Sequence, residues 1–394
     1  MKTNSSFRGL GNTRKKRIFR WCLEKNRLRH KTTFLILLIA VFFILSNASG
    51  TLLSAGDIKF IEKVKLANTP EPLQYSWAFC VTDDELVIIP DFQAGNIKIY
   101  EGNGEFLDSI GQKGYGKDEF VKPTFCFYDK VEDKLAVMDH GLRKIFIYLQ
   151  MGRTDFERVN EVSCWRGADG IQLSNDRLFI SGYKAGPNNE HYDFYSIDLR
   201  NNETAFLLPS YRKYGLSSPG EHARQFFENL DIPKIGIRGW FDIYRDDAYF
   251  VWEGSLKIIK LNIETGEIGP ASFGTQPPHY IKPHASPELR EVYRTMNTKG
   301  IENEKAKMSY VRHLFTSPKY VIVIYQGPSA QGNASNYRIQ FYTLDGDFIN
   351  DSPIPGQPDR RMWFDKDTYT LYSLVNKSGE GDEGYFILKY KISE

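Results

Sequence analysis

Residues 109–123 read SIGQKGYGKDEFVKP, a stretch with three glycines in six positions. Glycines at such spacing occur in phosphate-binding loops, where a strand precedes the loop and the N-terminus of a helix follows it. The alternating run 106–110 predicts the strand, but Pro123 and the β-prone run TFCFY after it predict a second strand instead of a helix. The order GxxGxG also differs from the dinucleotide and Walker patterns. The stretch therefore favours a turn between two strands over a nucleotide site.

The 394-residue chain is 41% hydrophobic and 14% aromatic, which is enough for a large core in one or two domains. Its formal net charge of +2 hides an asymmetry, because residues 1–31 hold eleven Lys and Arg and one acid, Glu24. The rest of the chain contains 40 basic and 48 acidic residues. An acidic body argues against nucleic acid as a partner.

Residues 32–56 are uncharged and contain a continuous apolar core from Phe34 to Leu45. The whole stretch is long enough for a transmembrane anchor, whereas the apolar core followed by Ser46-Asn47-Ala48 also fits a cleavable signal peptide. Both readings place a basic leader, residues 1–31, in the cytoplasm and export the body, residues 57–394, to the periplasm or the cell exterior. We therefore expect a single N-terminal membrane or signal helix, with membrane contact through residues 32–56.

The exported body would hold three of the four cysteines, Cys80, Cys126 and Cys164, in a setting where disulfides can form. Three cysteines cannot all pair within one chain, and their spacing contains no CxxC metal signature. Buried thiols are the expected state, and their disulfide status is left open.

A unit of consecutive β-runs recurs six times in the body. The second run of each unit begins at Leu86, Leu135, Arg177, Ala248, Tyr320 and Thr370. A third run follows in every unit, and a fourth follows in the first five, including EIGPASFG in unit four. The sixth unit ends near Ile392 without a fourth run, and residues 58–66, IKFIEKVKL, have the alternation needed to supply it.

Six small sheets, each with two apolar faces, bury both faces only by stacking around a ring. The repeat therefore predicts an all-β fold, a six-bladed β-propeller closed by an N-terminal strand, which also removes an open sheet edge. A pair of β-sandwiches is the alternative.

The pattern GxxGxGxxEFxxP, residues 111–123, resembles the inter-blade turn of NHL-type and TolB-like six-bladed propellers, especially those of an exported bacterial family. The resemblance extends over about residues 57–394, although the sharp motif occurs once. It implies a propeller architecture and export, and it implies no particular reaction.

Two links between units are long enough for helical insertions, near 209–239 and 274–308. Ser218-Pro219 and Ser286-Pro287 have the cap and first-position proline of a helix start. The two helices would form a partial lid over one rim or pack over blade edges.

Basic and aromatic residues gather at the starts of the predicted innermost strands, which should surround a channel. The candidates for ligand binding at its mouth are Trp77, Trp165, Arg166, Arg238, Trp240, Arg312, His313, Arg360 and Arg361. Converging guanidinium groups bind carboxylate or phosphate, and aromatic faces stack against a sugar ring. Individually, each residue could instead serve in blade packing or a salt bridge.

These residues predict a non-catalytic binding module at the cell envelope that recognises an anionic small molecule, a glycan or a protein at the channel mouth. We expect a monomer and no cofactor. The alternative is a lactonase-type hydrolase with a metal such as calcium in the channel, for which Asp91, Asp139 and Asp169 lie near strand ends. A scaffold that docks an envelope complex is a third possibility. No HExxH or GxSxG motif supports catalysis.

Overall fold

The computed structural model describes residues 56–67, 72–165, 167–186, 191–210, 238–269, 272–284, 286–295, 298–329, 336–377 and 383–393. The predicted leader, nearly all of the apolar segment 32–56 and most of the first insertion, 209–239, lie outside these ranges. Within them, the longest apolar helix falls short of what a bilayer crossing requires.

Six antiparallel sheets of three or four strands follow one another along the described chain, as predicted for a six-bladed propeller. We number them sheet 1 (β2–β5), sheet 2 (β8–β11), sheet 3 (β12–β15), sheet 4 (β16–β18), sheet 5 (β19–β22) and sheet 6 (β23–β25 with β1). The strands are β1 Ile58–Lys65, β2 Cys80–Val81, β3 Val87–Asp91, β4 Asn96–Tyr100, β5 Phe106–Ile110, β6 Gln112–Lys113, β7 Glu119–Phe120, β8 Pro123–Asp129, β9 Lys134–Asp139, β10 Lys144–Gln150, β11 Phe156–Ser163, β12 Ala168–Ser174, β13 Arg177–Ala185, β14 His191–Asp198, β15 Thr204–Pro209, β16 Gly239–Tyr244, β17 Asp247–Trp252, β18 Ile258–Asn262, β19 Tyr310–Thr316, β20 Tyr320–Gly327, β21 Asn336–Thr343, β22 Phe348–Pro353, β23 Met362–Asp365, β24 Thr370–Lys377 and β25 Gly384–Ile392.

The ring is closed by β1, which pairs antiparallel with β25 from Ile58 opposite Ile392 to Lys65 opposite Phe386. Backbone hydrogen bonds between residues 56–57 and Ser393 extend the pairing. The N-terminal strand therefore completes the last sheet, and the predicted closure is confirmed.

The core lies between neighbouring sheets. Phe179 and Phe194 of sheet 3, for example, share one buried cluster with Phe250 and Trp252 of sheet 4. Each sheet thus hides its two apolar faces against its neighbours, which is the physical reason for a ring.

In the described part of the fourth run of unit four, EIGPASFG, pairing with β18 is limited to two bridges. Ile268 and Phe273 each form a single bridge to β18, at Leu261 and Ile258 respectively. The run contains Pro270, and a proline has no N–H to donate to a sheet ladder. Sheet 4 accordingly has three strands among the described residues.

The glycine-spaced stretch connects sheets 1 and 2, as the turn interpretation requires. Gly111 has φ of 70°, and the Glu119 carboxylate accepts a hydrogen bond of 2.7 Å from the Gly116 N–H. Gly114 packs so closely on the same carboxylate that a side chain there would collide with it. Only Gly111 of the three glycines has a positive φ, so the other two are needed for space around Glu119 instead.

Two helices, α1 Pro287–Arg294 and α2 Thr298–Ala306, lie in the second predicted insertion. The first of them begins at Pro287, directly after Ser286, where the cap and proline indicated a helix start.

Candidate functional site

The first strands of the six sheets surround a central cavity of about 400 Å³. These strands, β2, β8, β12, β16, β19 and β23, run in one direction because each sheet repeats the same up-and-down order around the ring. Their starting ends form one opening, which we call the arginine mouth, with Trp77, Asp169, Arg238 and Arg360. Their finishing ends form the lysine end, with Lys130, Asp242, Lys366 and Asp367.

Seven of the nine candidate residues line this cavity. They are Trp77, Arg238, Trp240, Arg312, His313, Arg360 and Arg361. Trp165 does not line it, and its side chain is 50% exposed. Arg166 lies outside the described residues. The structure thus brings most of the candidates together, and their role in binding stays a prediction.

Of the four candidate arginines that the structure describes, two have close protein partners. The Arg312 Nη1 donates a hydrogen bond of 2.7 Å to the Glu253 carboxylate. Its Nε and Nη2 donate hydrogen bonds of 3.0 and 2.9 Å to the side-chain oxygen of Gln326. Arg361 is buried, and its Nη2 bonds to the Asp359 carboxylate. These guanidinium groups are engaged in blade packing, the ordinary role considered for each candidate on its own.

The other two arginines, Arg238 and Arg360, are exposed and weakly engaged. The Arg238 side chain is 44% exposed, and its Nε lies 3.6 Å from the Asp169 carboxylate. Its guanidinium carbon lies 6.0 Å from the centre of the Trp77 indole ring. Trp77 lies just before the first strand of sheet 1, which faces sheet 4 across the propeller. Arg360 is exposed, and its Nη2 lies 3.4 Å from the Tyr75 hydroxyl. Both arginines therefore have N–H donors left for a ligand.

Aromatic rings stand around the arginine mouth in ordered pairs. Trp77 stacks on Phe92 with ring centres 5.6 Å apart and planes 7° apart. His313 stacks on Phe315 at 5.3 Å, and its ring centre is 4.9 Å from that of Trp240. Such held faces can receive a planar or apolar ligand group without further ordering.

His313 is held as a neutral group. Burial lowers the pKa of His313 to about 4, although the hydrogen bond from its ring to the Arg360 carbonyl favours the charged form. Because the carbonyl can only accept, the ring donates from Nε2. The neutral ring therefore supplies an apolar face to the mouth.

This lowered pKa predicts that the fold loses stability in acid. The unfolded chain protonates His313 near its ordinary value of about 6.5, whereas the folded chain does so only near 4, so protons favour unfolding in between. Between about pH 6.5 and pH 4, we expect the unfolding free energy of His313→Gln to fall by roughly 2 kcal/mol less than that of the wild type, as measured by urea denaturation. His284→Gln, at an exposed histidine outside the cavity, is the comparison variant. Equal slopes for the wild type and the His313 variant would contradict the assignment.

The acidic residues considered for a metal have other partners. Asp91 accepts backbone N–H groups of Gln74 and Ala94, and Asp139 accepts those of Val121 and Leu142. Each carboxylate lies at the end of the second strand of its sheet. It thereby holds both the segment that precedes the first strand and the turn that follows the second strand. Within the described ranges, no three His, Cys, Asp or Glu side chains are grouped as a metal site would need.

Sequence reasoning missed several cavity residues. Phe125, Phe127 and Trp363 line the wall, and Lys130 and Lys366 stand at the far end. The β-prone run TFCFY holds two of these aromatics, so strand alternation could have placed them on the wall. The two lysines share a local pattern that could have found them, since each directly follows the aspartate that ends a first strand, Asp129 in sheet 2 and Asp365 in sheet 6.

The three cysteines within the described residues are free and buried, as expected. Burial, with a hydrogen bond to Cys126, raises the pKa of Cys80, and burial raises the pKa of Cys164 to about 12. Both sulfurs are accordingly inert thiols at neutral pH.

Fold and site together define a six-bladed β-propeller with a basic, aromatic mouth on a central cavity. Residues 71–223 match the model of the DUF5128 family, described as a 6-bladed beta-propeller. A member of the DUF4221 family from Bacteroides vulgatus has a similar solved structure, with a TM-score of 0.62, 10% identity, and coverage of 86% of this chain and 99% of that chain. A putative exported protein from Bacteroides fragilis is similar with a TM-score of 0.54, 15% identity, and coverage of 86% and 96%. No curated protein matches the chain. The resemblance to six-bladed propellers is thereby confirmed.

Proposed function

We propose that this propeller is an exported, non-catalytic binding module that takes up an anionic small molecule at the arginine mouth. The observation that supports it is the pair of exposed guanidinium groups, Arg238 and Arg360, above an aromatic cavity of about 400 Å³. Cavities of this size are typical of small-ligand sites.

The chemistry favours an anion. A guanidinium presents N–H donors in a planar fork that matches carboxylate or phosphate, and charge-assisted hydrogen bonds are stronger than neutral ones. The nearest carboxylate to Arg238 within the described chain is 3.6 Å away, which leaves a ligand oxygen room to make a shorter contact. A concave cavity also suits a small molecule or a sugar better than the flat surface of a protein partner.

Export is part of this proposal. The basic leader followed by an apolar segment supports it, because such a leader stays in the cytoplasm and directs the body across the membrane. The similar Bacteroides fragilis protein is itself described as a putative exported protein. A ligand from outside the cytoplasm would then reach the mouth directly.

Arg238→Gln tests the function. Small carboxylates, phosphate esters and uronic acids are screened for thermal stabilisation of the full-length chain, and the affinities of those that stabilise it are measured by calorimetry. We expect the substitution to weaken binding of the stabilising anions about 10- to 100-fold, since a charge-assisted hydrogen bond contributes about 1.5–3 kcal/mol.

Arg153→Gln is the matched control for that experiment. Arg153 is 56% exposed and pairs with Glu101 and Asp84 in turns away from the cavity, so its loss should leave the affinity unchanged. The proposal is wrong if no anion of the panel binds, or if the bound anions are equally affected by the two substitutions.

A further inference from the structure

The two ends of the cavity differ in how their cations are neutralised. At the lysine end, Lys130 Nζ lies 2.9 Å from Asp83, 3.0 Å from Asp365 and 3.5 Å from Asp367. Burial disfavours its charge, but the hydrogen bonds to Asp83 and Asp365 outweigh burial and raise the pKa of Lys130. Carboxylates thus outnumber the ammonium group there, and an incoming anion would meet net negative charge.

Lys366, the second lysine of that end, is fully occupied as well. Its Nζ lies 2.9 Å from the Asp242 carboxylate, 3.0 Å from the Ile243 carbonyl and 3.4 Å from the Thr316 hydroxyl. An ammonium group has three N–H donors, so these three acceptors use all of them. Neither lysine has a donor left for a ligand anion.

The same contacts link different sheets at the lysine end. Lys130, in a turn of sheet 2, reaches Asp83 of sheet 1 and Asp365 of sheet 6. Lys366, in a turn of sheet 6, reaches Asp242 of sheet 4 and Thr316 of sheet 5. Five of the six sheets are therefore tied together at this end by cations that are already paired, which favours the arginine mouth as the entrance for an anion.

The wall between the two ends is mostly apolar, although Gln172, Ser174 and Ser181 also line the cavity. Its side chains include Phe125, Phe127, Leu173, Phe241, Phe315 and Trp363. Phe127 and Trp363 meet edge to face with ring centres 5.4 Å apart, which fixes the surface that they present. A ligand group that enters this space exchanges water for apolar contacts, which favours hydrocarbon or an aromatic ring.

We infer that the ligand is an amphipathic monoanion, with one carboxylate-like group held at Arg238 and Arg360 and an apolar body that fills the cavity toward the lysine end. This inference rests on the proposed function and adds the ligand class and its orientation. A second anionic group on the far end of the body would face the carboxylates around Lys130 and is excluded.

Three probes separate the head from the body of the ligand: acetate, octanoate and octanamide, each titrated calorimetrically into the full-length chain. Octanoate is expected to bind at least about 10-fold more tightly than acetate, because its methylene groups are buried. It should also bind at least about 10-fold more tightly than octanamide, which lacks the charge. Suberate, with a carboxylate at each end of a similar chain, should bind more weakly than octanoate.

Ala78→Phe tests the cavity itself, since Ala78 lines the wall and a ring there fills part of the space. The variant is expected to lose most of the advantage of octanoate over acetate. If its melting temperature shows that it does not fold, Ala78→Val, which adds less volume, is expected to reduce the advantage in the same direction.

The outcomes distinguish the inference from the function. Acetate and octanoate that bind equally, with both lost in Arg238→Gln, would overturn the amphipathic ligand and leave anion binding in place. Suberate that binds as tightly as octanoate would overturn the orientation. Failure of octanoate to bind while a phosphate ester or uronic acid does bind would overturn the inference alone. No binding of any anion, in either set of compounds, would overturn both the inference and the proposed function.

Discussion

Val64→Asp is expected to lower the free energy of unfolding by about 4 kcal/mol, because a carboxylate would be buried without a partner in the seam that closes the ring. Val64 of β1 is 6% exposed and lies in one apolar cluster with Phe79 of the first blade and Leu374 and Ile387 of the last. The substitution therefore disturbs the contact between the two ends of the propeller and should show as a lower midpoint in guanidinium denaturation.

Lys59→Asp is the control on the same strand. Lys59 is exposed and keeps its backbone pairing with Lys391, so reversing its charge should change the unfolding free energy by less than about 0.5 kcal/mol. Similar midpoints for the two variants would mean that β1 does not hold the ring closed.

Asp242→Ala is the second large change, with an expected cost of about 3 kcal/mol. The buried Asp242 carboxylate of sheet 4 accepts the Thr316 N–H at 2.6 Å and the Lys366 ammonium at 2.9 Å. Without this carboxylate, the buried Thr316 N–H and the partly buried Lys366 ammonium lose an acceptor. The free-energy cost of leaving such groups unpaired exceeds the net stabilisation that the Asp242–Lys366 ion pair provides. Urea denaturation should show the loss, and Lys366→Met in the same background should restore part of it.

Asp367→Ala is the matched control, since Asp367 lies at the same end of the cavity with its side chain 77% exposed and 3.5 Å from Lys130. Its loss should cost less than about 0.5 kcal/mol. A loss as large as that for Asp242 would indicate that net charge at this end, not the buried hydrogen bonds, sets the stability.

The blades could be predicted from sequence because their strands have local signals. The runs beginning at Leu135, Arg177 and Tyr320 are bounded by turn residues, and each appears as the second strand of a sheet. Strand β1 was also predictable, since the sixth unit lacked a strand and IKFIEKVKL could supply it. The fourth run of unit four, EIGPASFG, shows the limit of such local signals, because it contains Pro270, which has no N–H for a sheet ladder.

The site was less predictable because identical residue types have different partners. Arg238 and Arg312 both stand at the start of a first strand, yet Arg312 is bound by Glu253 and Gln326, whereas Arg238 is 44% exposed. Those partners come from other strands, so no local pattern distinguishes the two arginines. The ion pairs of Lys130 and Lys366 likewise depend on the ring having closed.

The pairing of β1 with β25 has a consequence for biosynthesis. The ribosome makes β1 before the other strands of the propeller and β25 after them, so the contact that completes the ring spans the largest loop-closure distance within the propeller. Until translation has passed Ile392, the last blade exposes a strand edge that could pair with another nascent chain. The edge of β24 is therefore open to wrong pairing until both β25 and β1 have added to the sheet.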